Sequence, residues 1–433
     1  MIQFKNKAKS FDFFELGNSV ILYYLLIFFL APILFFFGVS GFLWENSVVY
    51  YKALLYLTLG LIFFAIGYYN RQTSSIAGRL PKFLKLDSEW DFRKAPLIFG
   101  VTFIFGLGIK ILRIFGGAYA YWQQNSWLQN SSFYSLIGIF DWLSSVALII
   151  AFTSYFHFKK NNDARYRLWQ KIAWGTFILE MVYVLPSCNR TSVMMLIILY
   201  LIIKSYFSRI TWQQIIFIIL GVAIVLFPFG NACRNPGILR HYSLVERPIE
   251  NIGNSLTYIK NAGDFTSNSI FSRIDQFAVF SRIVEMDEPL LYGKSLLKFF
   301  ISLGPPRFIW HNKPIIVGGG DFGHRSGLLA PDVKSTTVGV TMVGDWYMNF
   351  GLAGIILGMF FMGMLFRLIY EYLIKRTGIS FSGVMIYSIL WLNIIKGMED
   401  WIAPVYAGLV KIFILLLIIH YFLIKRGKAL KVI

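Results

Sequence analysis

Guanidinium and ammonium groups recur in this sequence at positions where they could bind one anionic ligand. The candidates are Arg190, Arg234, Arg307, Lys313 and Arg325. Guanidinium binds phosphate oxygens in a bidentate manner, and clustered cations stabilise the negative charge that develops on a leaving group. These residues therefore indicate a ligand that carries phosphate, and a lipid diphosphate would fit. The alternative for each residue taken alone is contact with ordinary anionic lipid headgroups.

Three side chains near these cations could accept or donate a proton. His324 stands between Gly323 and Arg325 in the flexible string GGGDFGHRSG, and a histidine can act as a general base near neutral pH. Asp345 and Asp321 are the other candidates for catalysis. A solvated loop histidine without a catalytic role is the alternative interpretation of His324.

The same glycine-rich string does not predict a nucleotide site. GGGDFG lacks the Walker spacing and has no strand before it. No pair of histidines has the helical or turn spacing that metal ligation requires. We therefore expect no metal and no other cofactor.

Composition indicates that membrane-spanning helices must position these residues. Apolar side chains make up 57% of the 433 residues and charged ones 15%, and the mean hydropathy is +0.61; both are unusual for a soluble domain. The net charge of +19 could suggest a nucleic-acid binder, but the basic residues form clusters between apolar runs and no continuous polar surface. We predict an all-α polytopic membrane protein with no nucleic-acid partner.

Ten apolar runs are long enough to cross the hydrocarbon core, which takes about 20 helical residues. We place them at 18–43, 48–69, 95–116, 133–157, 168–187, 191–208, 212–230, 344–369, 379–398 and 402–424. Few ionisable residues are expected deep within these runs, so the sequence indicates no proton or ion relay. We also find no internal repeat of the kind that marks many transporters.

Lys and Arg concentrate in alternate segments between the runs, and this bias orients the chain. Because such segments stay on the cytoplasmic side, both termini are predicted to be cytoplasmic. The predicted organisation is seven spans in 1–230, a large extracytoplasmic (periplasmic) loop in 231–343, and three spans in 344–433. Within the loop we expect helices at 249–261 and 269–285, then a short apolar helix that is re-entrant or interfacial.

Three ordered motifs lie in and after this loop. YGKSLLKFFISLGPPRFIWHNKP contains YGxS and PRxxWxxKP, and GDWYMNFGLAGIILGMFFMG contains GDxYxNFGxxGxxxG. In these motifs the chain resembles the O-antigen polymerase (Wzy-type) or oligosaccharide repeat unit polymerase family. Arg307, Trp310 and Lys313 fall on the second motif, and Asp345 and Tyr347 on the third. Arg190 and Arg234 match no motif and rest on topology alone. Gly354 and Gly358 are interpreted as positions of close helix packing.

The resemblance implies a GT-C-like extracytoplasmic glycosyltransferase in a bacterial cytoplasmic (inner) membrane. Such an enzyme polymerises undecaprenyl-diphosphate-linked oligosaccharide repeat units into O-antigen, capsule or exopolysaccharide without a metal or a nucleotide sugar. By this resemblance, Trp310 and Tyr347 join the cations in binding the diphosphate or the glycan. Membrane lipids and a chain-length regulator of the Wzz type are the other implied partners.

Three alternatives to this function stay open at the level of sequence. An O-antigen ligase would use the same donor with a lipid A core acceptor. A lipid-linked oligosaccharide flippase or exporter would bind and move the glycan without catalysis, and it would carry charged residues inside its bundle. A passive assembly partner of an envelope complex is the third.

Overall fold

The described part of the chain is helical. The computed structural model describes residues 12–36, 47–80, 85–86, 88–116, 134–187, 189–208, 210–211, 213–214, 276–305, 309–314, 319–329, 338–376 and 379–424. Within these ranges the extended pairing is one isolated bridge between Trp90 and Ile424. The prediction of an all-α protein is confirmed for these residues.

Fifteen α-helices are found in the described ranges. They are α1 (Leu16–Tyr24), α2 (Leu30–Phe36), α3 (Ser47–Tyr69), α4 (Arg71–Arg79), α5 (Ala95–Phe115), α6 (Tyr134–Phe140), α7 (Trp142–Lys160), α8 (Tyr166–Val184), α9 (Arg190–Phe207), α10 (Gln276–Met286), α11 (Lys294–Leu303), α12 (Gly319–Arg325), α13 (Met342–Tyr370), α14 (Phe381–Gly397) and α15 (Ile402–Leu423). A π-helical turn at Leu25–Phe29 joins α1 to α2, and another at Glu371–Lys375 extends α13.

Six helical segments are long and apolar enough to cross a membrane. They are Leu16–Ile33, Ser47–Tyr69, Ala95–Phe115, Ile137–Lys160, Met342–Lys375 and Ile402–Leu423. These coincide with the first four, the eighth and the tenth predicted spans. The chain is therefore a multi-pass helical membrane protein.

The other four predicted spans are not among these six segments. The sixth and ninth correspond to apolar helices of fewer than 18 residues, at Thr191–Phe207 and Phe381–Gly397. The fifth corresponds to α8, whose Arg167, Lys171 and Glu180 lower its apolar character. The seventh, 212–230, and the predicted loop helix 249–261 lie almost wholly outside the described residues. The number ten therefore stays a prediction.

The described residues divide into two compact units. The first is drawn from Met1–Asp87, Ile270–Pro305 and Ile309–Leu417, and the second from Ser88–Ser269, Pro306–Phe308 and Ile418–Ile433. The first unit therefore contains α10 to α14 and most of α15, which carry most of the described motif residues.

Close approach of α3 and α13 forms the centre of the first unit. A Cβ atom on Gly67 would overlap the backbone carbonyl of Phe360, and one on Gly363 would overlap the carbonyl of Phe64. Glycine at both positions lets the two backbones touch, as small residues do in membrane helix pairs. Helix α13 is thereby held against α3 along its second half.

An ion-pair network anchors the segment before α1 to the last turns of α13. Arg367 contacts Glu15 at 2.8 Å and Glu371 at 2.6 Å. The Tyr370 hydroxyl donates to the Asp12 carboxylate at 2.8 Å. These side chains are largely screened from solvent, so the network fixes the start of the first helix.

Two helices of the second unit share a buried ion pair. Lys110 of α5 donates to the Glu180 carboxylate of α8, both residues are buried, and the ammonium group lies 4.6 Å from the centre of the Tyr183 ring. One turn further along α5, Arg113 pairs at 3.1 Å with Asp141, the residue before α7. The expectation of few deep ionisable residues missed the Lys110–Glu180 pair, whose residues fall within the predicted spans 95–116 and 168–187.

Candidate functional site

Helix α13 is broken at the glycine of the NFG sequence. Gly351 has φ 61° and ψ −146°, a conformation that is essentially restricted to glycine. The break frees backbone carbonyls in the preceding turn. Those of Met348 and Asn349 accept hydrogen bonds from the amides of Leu291 and Tyr292, at 2.9 and 3.0 Å. The freed groups are therefore satisfied by the turn that contains the YG sequence.

That turn is built to present consecutive amides. Tyr292 and Gly293 both have left-handed backbone conformations, with φ 46° and 85°. The Gly293 amide donates to the side-chain oxygen of Asn349 at 3.0 Å. Leu291, Tyr292 and Gly293 thus all bond to one end of the broken helix, and these bonds join the first motif to the third.

Side chains from the same two motifs form a buried cluster beside the turn. The Ser295 hydroxyl donates to Asp345 Oδ1 at 2.5 Å, and Asn349 Nδ2 donates to Ser295 Oγ at 2.5 Å and to Asp345 Oδ1 at 3.0 Å. The other carboxylate oxygen, Oδ2, accepts from the backbone amide of Ile402 at 2.9 Å. We call residues 291–293, Ser295, Asp345, Asn349 and the Ile402 amide the motif junction.

The burial and contacts of Asp345 favour a positioning role. Asp345 and Asn349 are both 0% exposed, and both carboxylate oxygens of Asp345 are occupied within the protein. A general base must reach the proton that it removes. Asp345 joins α11, α13 and the first amide of α15, where a carboxylate also interacts favourably with the helix dipole.

The turn between α14 and α15 supports the junction from one side. The amides of Met342 and Thr341 donate to the carbonyls of Met398 and Glu399, at 2.9 and 3.2 Å. The Tyr23 hydroxyl of α1 donates to the Glu399 carboxylate. Burial raises the pKa of Glu399, and the nearby Asp400 adds to this effect, while the bond from Tyr23 opposes it. Glu399 is thus a half-buried carboxyl group beside the third motif.

The second motif caps the far end of α11. Lys313 Nζ donates to the carbonyls of Gly304 and Pro305, each at 3.1 Å. The ring of Trp310 packs on Gly304, and its centre lies 6.0 Å from the Lys313 ammonium group. Cations are favoured at helix C-termini, where the last carbonyls lack partners. All three motifs therefore meet on one ten-residue helix.

Helix α12 carries three of the predicted site residues on its surface. Phe322 is buried against Ile283 and Val340 and fixes the helix to the first unit. The side chain of His324 is exposed. Arg325 pairs with Glu288 at 2.5 Å and with Asp321 at 3.4 Å, so carboxylates of the protein partly neutralise its charge.

The structure places the other predicted residues as follows. Tyr347 is half-buried between the rings of Tyr56 and Phe280, at 5.6 and 5.9 Å between centres, which is a packing environment. Arg190 begins α9, but its side chain, Arg234 and Arg307 lie outside the described residues. Their predicted role in diphosphate binding stays a prediction.

Two features of this region were not predicted from the sequence. Lys411 lies within the apolar run of α15 and donates to the carbonyl of Ser302 at 2.5 Å. Glu399, between the last two predicted spans, accepts a hydrogen bond from Tyr23 that the sequence did not predict. A charged residue inside an apolar run is a signal that could have identified Lys411. Among the described residues, no group of His, Cys, Asp or Glu side chains could hold a metal ion.

No family model, no curated protein and no solved structure matches this chain. The family resemblance therefore rests on the three motifs.

Proposed function

We propose that this protein is an extracytoplasmic glycosyltransferase that polymerises undecaprenyl-diphosphate-linked oligosaccharide repeat units. The observation that carries the proposal is the assembly of the three motifs around α11. The YG turn and Ser295 begin the helix, Lys313 caps its end, and Asp345 and Asn349 support its start.

This assembly supports the proposal because the motif residues lie far apart in the sequence. Ser295 and Asp345 are separated by 50 positions, yet a hydrogen bond joins them. Hydrogen bonds between motif residues that are distant in sequence indicate that these residues share one role. The cluster gives a rigid base for the segments around it, as a positioned catalytic site requires.

The proposed reaction transfers the growing glycan from its lipid to the new repeat unit. His324 takes the proton of the acceptor hydroxyl on the non-reducing terminal sugar. The acceptor oxygen forms a bond to the anomeric carbon of the donor, while the bond from that carbon to the phosphate oxygen breaks. Undecaprenyl diphosphate leaves with the electron pair, and cations stabilise its charge. The exposed position of His324 favours it over the buried Asp345 as the base.

The same proposal includes the finer features of topology. Ten spans with a GT-C-like arrangement would place both termini in the cytoplasm and residues 231–343 in the periplasm of a bacterial inner membrane. Undecaprenyl-diphosphate-linked glycans and membrane lipids would be the ligands, and a chain-length regulator of the Wzz type would be the protein partner.

A transporter of lipid-linked glycans is the second candidate, because one observation favours it. The Lys110–Glu180 pair is a buried charged feature within the helices of the second unit, and a transport path carries such residues. An O-antigen ligase shares the proposed donor. In a deletion strain, accumulation of core capped with a single repeat unit would favour the polymerase over the ligase.

The test of the proposal is synthesis by the purified protein in detergent. A synthetic undecaprenyl-diphosphate repeat unit is the substrate, and the products are separated by size. We expect a ladder of products from the wild type, and a loss of about 10²- to 10⁴-fold in rate for His324→Ala, as is typical of a general base. Arg307→Ala is expected to lose the ladder as well, through weaker diphosphate binding.

His311→Ala is the matched control, because His311 is also an exposed histidine of the described loop region. It is expected to retain the wild-type ladder. Absence of a ladder from the wild type with an authentic repeat unit would overturn the polymerase and leave the transporter or the ligase.

A further inference from the structure

Two lysines from separate parts of the first unit converge on one carbonyl group. Lys411 Nζ donates to the Ser302 carbonyl at 2.5 Å, and Lys313 Nζ reaches the same oxygen at 3.5 Å. The two nitrogens are therefore no more than about 6 Å apart, which is the sum of these distances. Like charges at this separation repel each other strongly outside bulk water.

Lys411 adds a second cation to a helix end that Lys313 already caps. The C-terminal carbonyls of α11 attract a cation, and Lys313 meets this need through its bonds to Gly304 and Pro305. Lys411 lies about 14 Å along α15 from Ile402, inside an apolar helix where an ionisable side chain is costly. Among the described residues, no carboxylate lies within ion-pair distance of Lys411.

The groups beside the two lysines are those that a phosphate would use. The hydroxyl of Ser302 is buried and has no hydrogen-bond partner among the described residues. Lys298 lies one helical turn earlier on the same face of α11, and its ammonium group is 5.5 Å from the centre of the Trp401 ring. The Ser302 hydroxyl and the Lys298 ammonium group thus lie on α11 near the end that Lys313 and Lys411 contact.

The neighbouring surface of α11 is apolar and exposed. Leu297 and Phe300, at 61% and 68% exposure, lie on one face of the helix, and Ile309 follows in the adjoining loop at 62%. Such a helix buries its apolar face in the membrane interface. A ligand that joins an apolar chain to a phosphate group matches the apolar face beside the lysines.

We propose that Lys411 and Lys313, with the Ser302 hydroxyl, form a binding site for the phosphate group of a lipid, which is the diphosphate of the proposed lipid-linked substrate. This assignment rests on the proposed function. A diphosphate carries oxygens on two adjacent phosphorus atoms, so two ammonium groups within about 6 Å can contact it together. The site places the departing lipid at the end of α11 opposite the motif junction.

Equilibrium binding to the purified full-length protein in detergent tests the site. Radiolabelled undecaprenyl diphosphate is the first probe, and phosphatidylglycerol is the second. Lys411→Gln keeps a donor for the Ser302 carbonyl and removes the charge, and Lys411→Met removes both. We expect both variants to bind undecaprenyl diphosphate at least about tenfold more weakly than the wild type, because each loses a charge-assisted contact. Lys294→Ala, on the exposed first turn of the same helix, is the matched control and is expected to bind normally.

Thermal unfolding of each variant separates binding from folding. Lys411→Gln is expected to keep the wild-type unfolding midpoint, so its weaker binding would be a direct effect of charge. Wild-type affinity in Lys411→Gln would overturn the site, as would equal affinity of the wild type for undecaprenyl diphosphate and phosphatidylglycerol. If the wild type makes a ladder while Lys411→Gln binds normally, the site alone is wrong. If Lys411→Gln loses binding while the wild type makes no ladder, the polymerase alone is wrong.

Discussion

Replacement of Asp345 distinguishes a positioning residue from a catalytic one. In Asp345→Ala, the Ser295 hydroxyl and the Ile402 amide lose the acceptor to which they bond. Each buried donor left without a partner costs about 1–3 kcal/mol. The loss of stability is therefore expected to be about 2–6 kcal/mol, before any cost of the cavity is counted. Asn349 is affected less, because its amide also bonds to Ser295 Oγ and to the Asp345 backbone carbonyl.

Asp345→Asn is the more informative variant, because it keeps the shape of the side chain. In the wild type, the Ser295 hydroxyl and the Ile402 amide donate to separate carboxylate oxygens. The asparagine side chain has a single oxygen, so it keeps only one of these two hydrogen bonds in the same geometry. One donor is left unpaired, and the expected loss of stability is about 1–3 kcal/mol.

Thermal unfolding in detergent, with Asp321→Ala as an exposed control, measures these losses. The expected order of unfolding midpoints is wild type and Asp321→Ala together, then Asp345→Asn, then Asp345→Ala. A variant Asp345→Asn that unfolds like the wild type but makes no polymer would refute the reasoning, because Asp345 would then act in the chemistry itself.

Three further predictions concern the break in α13 at Gly351, the buried Lys110–Glu180 ion pair, and Glu399 in the turn between α14 and α15. Gly351→Ala should lower the free energy of unfolding by about 1–3 kcal/mol through backbone strain at φ 61°. Gly408→Ala should leave it unchanged, because a Cβ atom added there meets no atom within 4 Å. Unfolding midpoints compare the two variants. Lys110→Met should lower the free energy of unfolding by about 3–5 kcal/mol, because it leaves a buried, unpaired charge on Glu180. The double variant Lys110→Met/Glu180→Leu should recover most of that loss in the same assay. Burial raises the pKa of Glu399 above its usual value of 4.5, so the folded state binds more protons than the unfolded state above that pH. Stability should then fall as pH rises from about 4.5 towards the raised pKa, and Glu399→Gln should flatten this slope in unfolding measured from pH 4.5 to 8; an unchanged slope would contradict the assignment.

The spans were predictable because the length of an apolar run is a local property of the sequence. Ser47–Tyr69 and Ala95–Phe115 match their predicted ranges within a residue or two. The short helix α11 was also predictable, since its apolar stretch is too short to cross a bilayer. Helix α10 was predicted at 269–285, and its described part runs from Gln276 to Met286.

The break in α13 could not be predicted in the same way. Glycine is common in membrane helices, so Gly351 alone does not indicate a non-helical conformation. The break depends on amides supplied by Leu291 and Tyr292, nearly sixty positions earlier. The order of the motifs along the chain did not show this contact, which the structure places between residues 291–293 and the end of the first part of α13.

The role of Gly358 was only partly predicted. It was expected to allow close packing between helices, but a Cβ atom there would overlap the ring of Trp346. Because α13 turns at Gly351, Trp346 folds back onto the second half of its own helix. Gly67 and Gly363 provide the close approach between α3 and α13.

Residue type alone predicted the site side chains incompletely, because burial and partners decide what a charge can do. Asp345 was a candidate base by type, and its hydrogen bonds within the protein favour a positioning role. Arg325 was a candidate for diphosphate binding, and it pairs with two carboxylates. Lys411 was not among the predicted site residues, yet it reaches the same carbonyl of α11 as Lys313.

The most direct test of the proposed polymerase compares the amount of undecaprenyl diphosphate released with the number of glycosidic bonds formed. The purified wild-type protein is incubated with a synthetic undecaprenyl-diphosphate repeat unit, and mass spectrometry measures both the released undecaprenyl diphosphate and the length of each product. The proposed reaction predicts one molecule of undecaprenyl diphosphate released for each new glycosidic bond, with one lipid retained at the reducing end of every product. Repeat units that stay unlinked, with no undecaprenyl diphosphate released, would contradict it.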